Sequence, residues 1–224
     1  MKTERATEQT ISLYYDLYTP DDATGRRLPL LIALHGYEGT KESMMSLAQK
    51  INSTDFAIVS LQGPNAFFVR ENGEVPQRVG FGWMMQYKAH ETIRLHHDTL
   101  LSIISELAAE DAIDQQRIFL LGFSQSVALN YRFAFTYPDM VRGVVAVCGG
   151  IPGDWDQDKY HECATDVLII AGETDDFYPL ARTSTFSEKL KRRARSAEFR
   201  SYPVGHVFPR EALPGIDEWL RARI

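Results

Sequence analysis

The run Leu120-Leu121-Gly122-Phe123-Ser124-Gln125-Ser126-Val127 decides how this chain reads. An apolar, strand-like segment from Ile118 to Leu121 stops at a glycine. A serine follows two residues later, and a helix-like segment starts directly behind it. A serine on such a sharp strand-to-helix turn has its hydroxyl lifted clear of the backbone, which is how a nucleophile is presented. Strand and helix pass close together there, so the positions two before and two after the serine must be small. Gly122 fills the first. Ser126 stands where the G-x-S-x-G pattern has its last glycine. The spacing alone is a weak signal; the strand before it and the helix after it lift it above chance.

Apolar, β-branched runs recur on both sides of this turn. Pro29 to Leu34, Phe56 to Leu61, Arg117 to Leu121, Val144 to Cys148 and Val167 to Ala171 are near-continuous, as in parallel strands covered on both faces. Ile11, Leu13, Tyr15 and Leu17 alternate with mostly polar residues, which predicts a half-exposed antiparallel strand near a sheet edge. Phe199 to Tyr202 reads as a shorter, outer strand. Helical patterns lie between, at Ser43 to Ile51, Ala89 to Ala108, Val127 to Tyr137, Leu180 to Arg195 and Ile216 to Ala222. The long second helix has a buried stripe of Leu100, Ile103, Ile104 and Leu107. Strands alternating with helices predict an α/β three-layer sandwich with a mostly parallel sheet of about seven strands. With no internal repeat and no linker-like boundary, residues 1–224 read as a single domain.

Two segments read as loops. Gly63 to Tyr87 interleaves Pro64, Gly73, Pro76, Gly80 and Gly82 with Phe67, Phe68, Phe81, Trp83 and Met84. Gly149 to Thr165 is shorter and polar. Only about a dozen and a half residues separate Cys148 from Val167, too few to insert a large helical cap, so the site is expected to be open and shallow.

Composition excludes several classes of function. A formal charge of −6 and a pI near 5.5 argue against nucleic acid or anionic lipid as the main partner. No apolar run approaches the roughly 20 residues of a membrane-spanning helix, and the polar opening Met1 to Thr10 has no apolar core of a secretory signal. The two cysteines, Cys148 and Cys163, imply no disulfide framework, and a cytoplasmic location is expected. Lys189, Lys191, Arg192, Arg193 and Arg195 read as the solvated side of a helix buried through Phe186, Leu190 and Ala194.

A serine hydroxyl is a poor nucleophile at neutral pH; it needs a base, and the base needs an orienting acid. In α/β hydrolases, which present a serine on this kind of turn, the chain order is serine, then acid, then histidine. His206 follows a strand end and a turn, while His161 lies before the strand expected to carry the acid, so His206 is the candidate base. Behind that strand, in Gly172-Glu173-Thr174-Asp175-Asp176, three carboxylates compete. The turn Leu34-His35-Gly36-Tyr37-Glu38-Gly39 can supply backbone N–H groups to an oxyanion, together with the N–H of Gln125. His35 is expected to fix that turn rather than act as a base. Metal and cofactor motifs fail: His90-Glu91-Thr92-Ile93-Arg94 lacks the second histidine of H-E-x-x-H, and Gly80-Phe81-Gly82 lacks the third glycine of a dinucleotide loop. His96 and His97 are adjacent and are expected to point to different sides of a helix.

Leu34-His35-Gly36, Gly122-Phe123-Ser124-Gln125, Gly172-Glu173-Thr174-Asp175 with Pro179, and Gly205-His206 occur together and in order. In this the chain resembles the small, lidless carboxylesterase/phospholipase branch of the α/β hydrolases, which includes acyl-protein thioesterases. The resemblance implies an α/β-hydrolase fold and a catalytic set of Ser124, Asp175 and His206. It selects Asp175 as the acid by its distance from Gly172 and Pro179, and it places the oxyanion on the backbone of Tyr37 and Gln125. It implies a small-molecule acyl ester or thioester substrate and no cofactor or metal. Ser126, and Tyr37-Glu38-Gly39, depart from the usual pattern. Phe67, Phe68, Phe81, Trp83 and Met84 are candidates for the wall of an acyl pocket; the competing reading is that they pin a long loop to the core. The competing functions are a catalytically silent binding domain and a peptidase or amidase on the same triad. Oligomeric state is not encoded in any motif.

Overall fold

The structure is a computed structural model that describes residues 2–7, 9–23, 25–70, 78–83 and 87–224. Met84, Gly73 and Pro76 lie outside the described residues. In chain order the elements are β1 (Tyr15–Tyr18), β2 (Leu28–Leu34), α1 (Lys41–Ile51), β3 (Ala57–Leu61), β4 (Asn65–Val69), β5 (Arg78–Gly82), α2 (Ala89–Ala109) and β6 (Ile113–Phe123). They continue with α3 (Gln125–Thr136), β7 (Gly143–Val147), β8 (Cys163–Gly172), α4 (Leu180–Thr183), α5 (Phe186–Leu190), β9 (Ala194–Tyr202) and α6 (Leu213–Arg221).

The main sheet has seven strands in the order β1-β3-β2-β6-β7-β8-β9. Only the β1 edge is antiparallel; every other neighbouring pair is parallel. The apolar runs explain this. Every residue of β2, β3 and β7 is buried, as a strand covered on both faces requires. One face packs Leu31, Ala33, Phe119, Val145 and Ile170 against α1 and α6. The other packs Leu30, Ile32, Leu120, Val144 and Ile169 against α2, α3 and α5. The result is the expected three-layer α/β sandwich. Residues 148–162, between β7 and β8, hold turns and no helix, so no large cap is inserted there. Among the described residues no helix is long and apolar enough to cross a membrane.

Two expectations need correction. The segment read as a loop from Gly63 to Tyr87 contains the β4–β5 hairpin, a separate antiparallel ladder pairing Asn65 with Gly82 and Val69 with Arg78. Gly80 marks a close approach, since a Cβ there would lie 2.7 Å from the Val69 side chain. The helix expected from Leu180 to Arg195 is broken into α4 and α5 and ends before β9. The hydroxyls of Ser184 and Thr185 donate to the carbonyls of Ala181 and Arg182, which competes with helix propagation. Ala194 then pairs with Cys163 of β8, and Arg195 continues the strand through a register shift. The basic run is therefore not one solvated helix face: Arg193 donates to the carbonyls of Tyr160 and Gln157, and Arg195 pairs with buried Asp166. His96 meets Trp83 and His97 meets Tyr137, as neighbours on different sides of one helix do. Both are buried, with ring centroids 5.6 Å apart, because α2 is covered there by Trp83, Phe133 and Tyr137.

Candidate active site

Strand β6 ends at Phe123 and α3 begins at Gln125, leaving Ser124 alone on the turn with φ of +56°. That left-handed value is a strained setting for a side-chain-bearing residue, as expected of a nucleophile-bearing turn. Close packing holds it. A Cβ on Gly122 would lie 2.7 Å from Asn130 Nδ2 and 3.2 Å from Ser126 Oγ. Ser126 is fully buried, and its hydroxyl is used: Oγ accepts the Phe123 N–H at 3.1 Å and stands 2.9 Å from the Leu34 carbonyl, to which it donates. The serine in place of glycine thus ties the turn to the end of β2.

The parallel order of β2, β6, β7 and β8 brings their carboxyl ends to one rim, where ligand sites form in open α/β sheets. Ser124, on the turn after β6, Asp175, after β8, and His206, after β9, meet there. Ser124 Oγ lies 2.8 Å from His206 Nε2, and His206 Nδ1 lies 2.8 Å from Asp175 Oδ2. Asp175 is 3% exposed, and its other oxygen accepts the N–H groups of Phe177 and Tyr178 at 2.8 and 2.9 Å. Burial alone raises this carboxyl, but the hydrogen bond from His206 and those two N–H groups outweigh it and hold the pKa below the usual value. An ionised Asp175 accepts only, so the imidazole donates from Nδ1 and turns the Nε2 lone pair toward the serine hydroxyl. Such a chain can draw a proton from the hydroxyl as the oxygen attacks a carbonyl carbon.

Aromatic rings fix the imidazole on several sides. Phe123, Phe177 and Tyr178 stand 5.3, 4.8 and 5.7 Å from its centroid. The rival carboxylates Glu173 and Asp176 are exposed, and Glu173 accepts from Ser201 instead. His161 is exposed on the β7–β8 connection. Cys148, buried under the same rim, has its thiol pushed up to about 12 by burial and by the charge of Asp175, and stays protonated.

The turn after β2 is built as rigidly. His35 is buried, and its Nε2 accepts from Gly63 N–H and Gln62 Nε2, each at 2.9 Å. The remaining ring proton therefore sits on Nδ1 and goes to the Gly36 carbonyl at 2.7 Å. Burial lowers the imidazole pKa, so His35 is a neutral strut. Tyr37, on the same turn, is exposed and stacks on Phe67 at 4.7 Å. Gln125 opens α3, so its N–H belongs to the first turn and points out of the helix end.

Trp83 joins the two halves of this region. Its indole N–H donates to the His35 carbonyl at 2.8 Å, and its backbone N–H donates to Gln125 Oε1 at 2.7 Å. At 1% exposure it lines no open cleft, so its place among the pocket candidates is corrected. Phe67 and Phe81 are half-buried on the hairpin and Phe68 is exposed. Nothing in the sequence linked Trp83 to Gln125, because the partners are separated by 42 positions and one is a backbone N–H. The ring of Phe177 over His206 carried a weak signal, adjacency to the acid, that motif reading does not use.

The profile of the Phospholipase/Carboxylesterase family matches residues 22–224. A probable carboxylesterase of Oryza sativa subsp. japonica is 28% identical over 115 residues, 50% of this chain and 43% of that protein. The chain thus matches less than half the length of that relative. A Bacillus cereus carboxylesterase has the same fold with a TM-score of 0.74 at 20% identity, covering 95% of each chain. Esterase PE8 (TM-score 0.75, 21% identity) covers 96% of this chain and 100% of its own. A carboxylesterase from Mesorhizobium loti (0.72, 20%) covers 93% and 94%. With the profile spanning nearly all of the chain and the hydrolase fold beneath it, the chain belongs to the Phospholipase/Carboxylesterase family of α/β hydrolases.

Proposed function

We propose that this protein hydrolyses carboxylic esters or thioesters of small or medium acyl groups through a covalent acyl-enzyme. The observation that carries the reading is the continuous chain of two 2.8 Å contacts from Ser124 Oγ through His206 to Asp175. His206 takes the Ser124 proton while Oγ attacks the acyl carbonyl. Asp175 holds the productive tautomer and stabilises the imidazolium, and the backbone N–H groups of Tyr37 and Gln125 receive the oxyanion. His206 then gives its proton to the leaving oxygen or sulfur, and water repeats the cycle on the acyl-enzyme. Trp83 acts at a distance as a positioning residue, holding the turn of Tyr37 and the turn of Gln125 at a fixed separation. Phe67 and Phe81 on the hairpin, with Tyr37 stacked on Phe67, are the candidate contacts for the acyl chain; the exposed Phe68 stands outside them.

Hydrolysis of p-nitrophenyl esters of increasing acyl length tests this. Ser124→Ala should lower kcat by several orders of magnitude, roughly 10⁶-fold as in other serine triads. Turnover near that of the wild type would exclude the scheme, and absence of turnover in both would favour a catalytically silent binding domain.

A further inference from the structure

A cleft of about 270 Å³ opens beside the serine rim, lined by Tyr37, Met44, Leu47, Phe123 and Phe208, with Gly36 also in its wall. We infer that this cleft binds the departing half of the substrate, and that this half is an uncharged, apolar alcohol. The inference rests on the serine-hydrolase reading above and adds to it a substrate class.

The direction of proton transfer sets the side. In acylation the Ser124 Oγ–carbon bond forms, the carbon–alkoxy bond breaks, and the proton taken from Ser124 passes from His206 Nε2 to the alkoxy oxygen. The departing oxygen must therefore lie next to His206 Nε2, and whatever it carries must run along a wall that includes the imidazole. Phe123 is that wall: its ring lies 5.3 Å from the imidazole and 6.1 Å from Phe208, and both phenylalanines line the cleft. The opposite bank is α1, through Met44 and Leu47. Tyr37 forms the boundary with the β4–β5 hairpin: it lines the cleft and stacks on Phe67, one of the acyl candidates, so the two halves of the substrate would lie on either side of it.

The lining fixes the chemistry. Among the described residues that line it there is no Asp, Glu, Lys or Arg; its one imidazole, His35, is neutral and already hydrogen-bonded, and the Ser43 hydroxyl donates to the Thr40 carbonyl. A phosphate-bearing alcohol would find no cation among the described lining residues, and a sugar alcohol would exchange water for mostly apolar contacts. At about 30 Å³ per water-sized group, the cleft has room for about nine such groups, enough for a chain of six carbons or a phenyl ring.

The test compares butyrate esters of methanol, butanol and hexanol on the wild-type protein, with kcat/KM as the readout because it reports acylation. Each methylene buried in the cleft should raise kcat/KM by up to about fourfold until the cleft is filled. Leu47→Trp, which fills it, should reduce the hexyl-to-methyl ratio at least about tenfold. Free 1-hexanol should inhibit the wild-type protein competitively. A flat alcohol profile with Ser124-dependent hydrolysis overturns the cleft assignment and leaves the serine reading intact. A shift in acyl-length preference on Leu47→Trp, with the alcohol profile unmoved, also overturns it. Hydrolysis that does not depend on Ser124 overturns both.

Discussion

Replacing Ser126 by glycine restores the residue that the G-x-S-x-G pattern has at this position, and the structure predicts that the change is harmful. Ser126 is fully buried, and its hydroxyl bridges the Phe123 N–H and the Leu34 carbonyl. Removing a buried hydrogen-bonding partner costs about 1–2 kcal/mol after solvent exchange is counted. Glycine in the first turn of α3 adds about 0.5 kcal/mol through the flexibility it gives the unfolded chain. The sum, roughly 2 kcal/mol, corresponds to a fall in Tm of roughly 4–8 °C for a chain of this length. Ser126→Ala keeps the Cβ and loses only the hydroxyl, so it should show most of the loss. The assay is thermal unfolding followed by circular dichroism at pH 7.5, with urea midpoints as a check. A Tm for Ser126→Gly equal to or above that of the wild type would refute the bridging role and make the serine a neutral substitute for glycine.

Trp83→Phe keeps the ring but removes the donor to the His35 carbonyl; kcat for p-nitrophenyl acetate should fall roughly 10- to 100-fold with KM within about twofold, and an unchanged kcat would exclude the bracket. Stability should fall in acid through the buried histidines. Burial lowers the His97 imidazole to about 4 and pushes His96 down as well, helped by the charge of His97, against a usual value of 6.5 in the unfolded chain. Because the folded values are depressed, the unfolded chain binds the extra protons: the stabilisation is complete above about pH 6.5 and is lost as pH falls toward 4, by about 3 kcal/mol for His97. His97→Phe should flatten urea midpoints measured between pH 7 and 4.5, and an equal slope in both proteins would contradict the assignment. Asp166 is buried among Arg142, Arg195 and Arg223 away from the serine rim, so Asp166→Ala should cost about 3 kcal/mol with kcat at pH 7.5 unchanged. A loss of kcat in still-folded protein would contradict that separation.

The parallel strands were legible because burial on both faces writes itself as unbroken apolar runs: Leu30 to Leu34 and Val144 to Val147 admit little else. The meeting of Ser124 and His206 was legible because each follows a strand end in a fixed chain order, which topology converts into proximity at one rim; that order left Glu173, Asp175 and Asp176 open, and the family resemblance selected Asp175. The β4–β5 hairpin was not, since Gly80 and Gly82, kept small by close approach, read as loop residues. The break between α4 and α5 was hidden for the opposite reason: Phe186, Leu190 and Ala194 keep helical spacing although the last of them belongs to a strand. Contacts through backbone atoms, such as the indole of Trp83 on the His35 carbonyl, leave no trace in side-chain pattern. The neutrality of His35, His96 and His97 depends on burial that only the packed layers create.

The central claim is that Ser124 is an activated nucleophile. Its most direct test is the mass of the intact protein after brief exposure to a fluorophosphonate, followed by peptide mapping. The account predicts one adduct, on Ser124, absent in Ser124→Ala and formed far more slowly in His206→Ala. An unmodified folded protein, or an adduct on a different serine with Ser124 untouched, would contradict it.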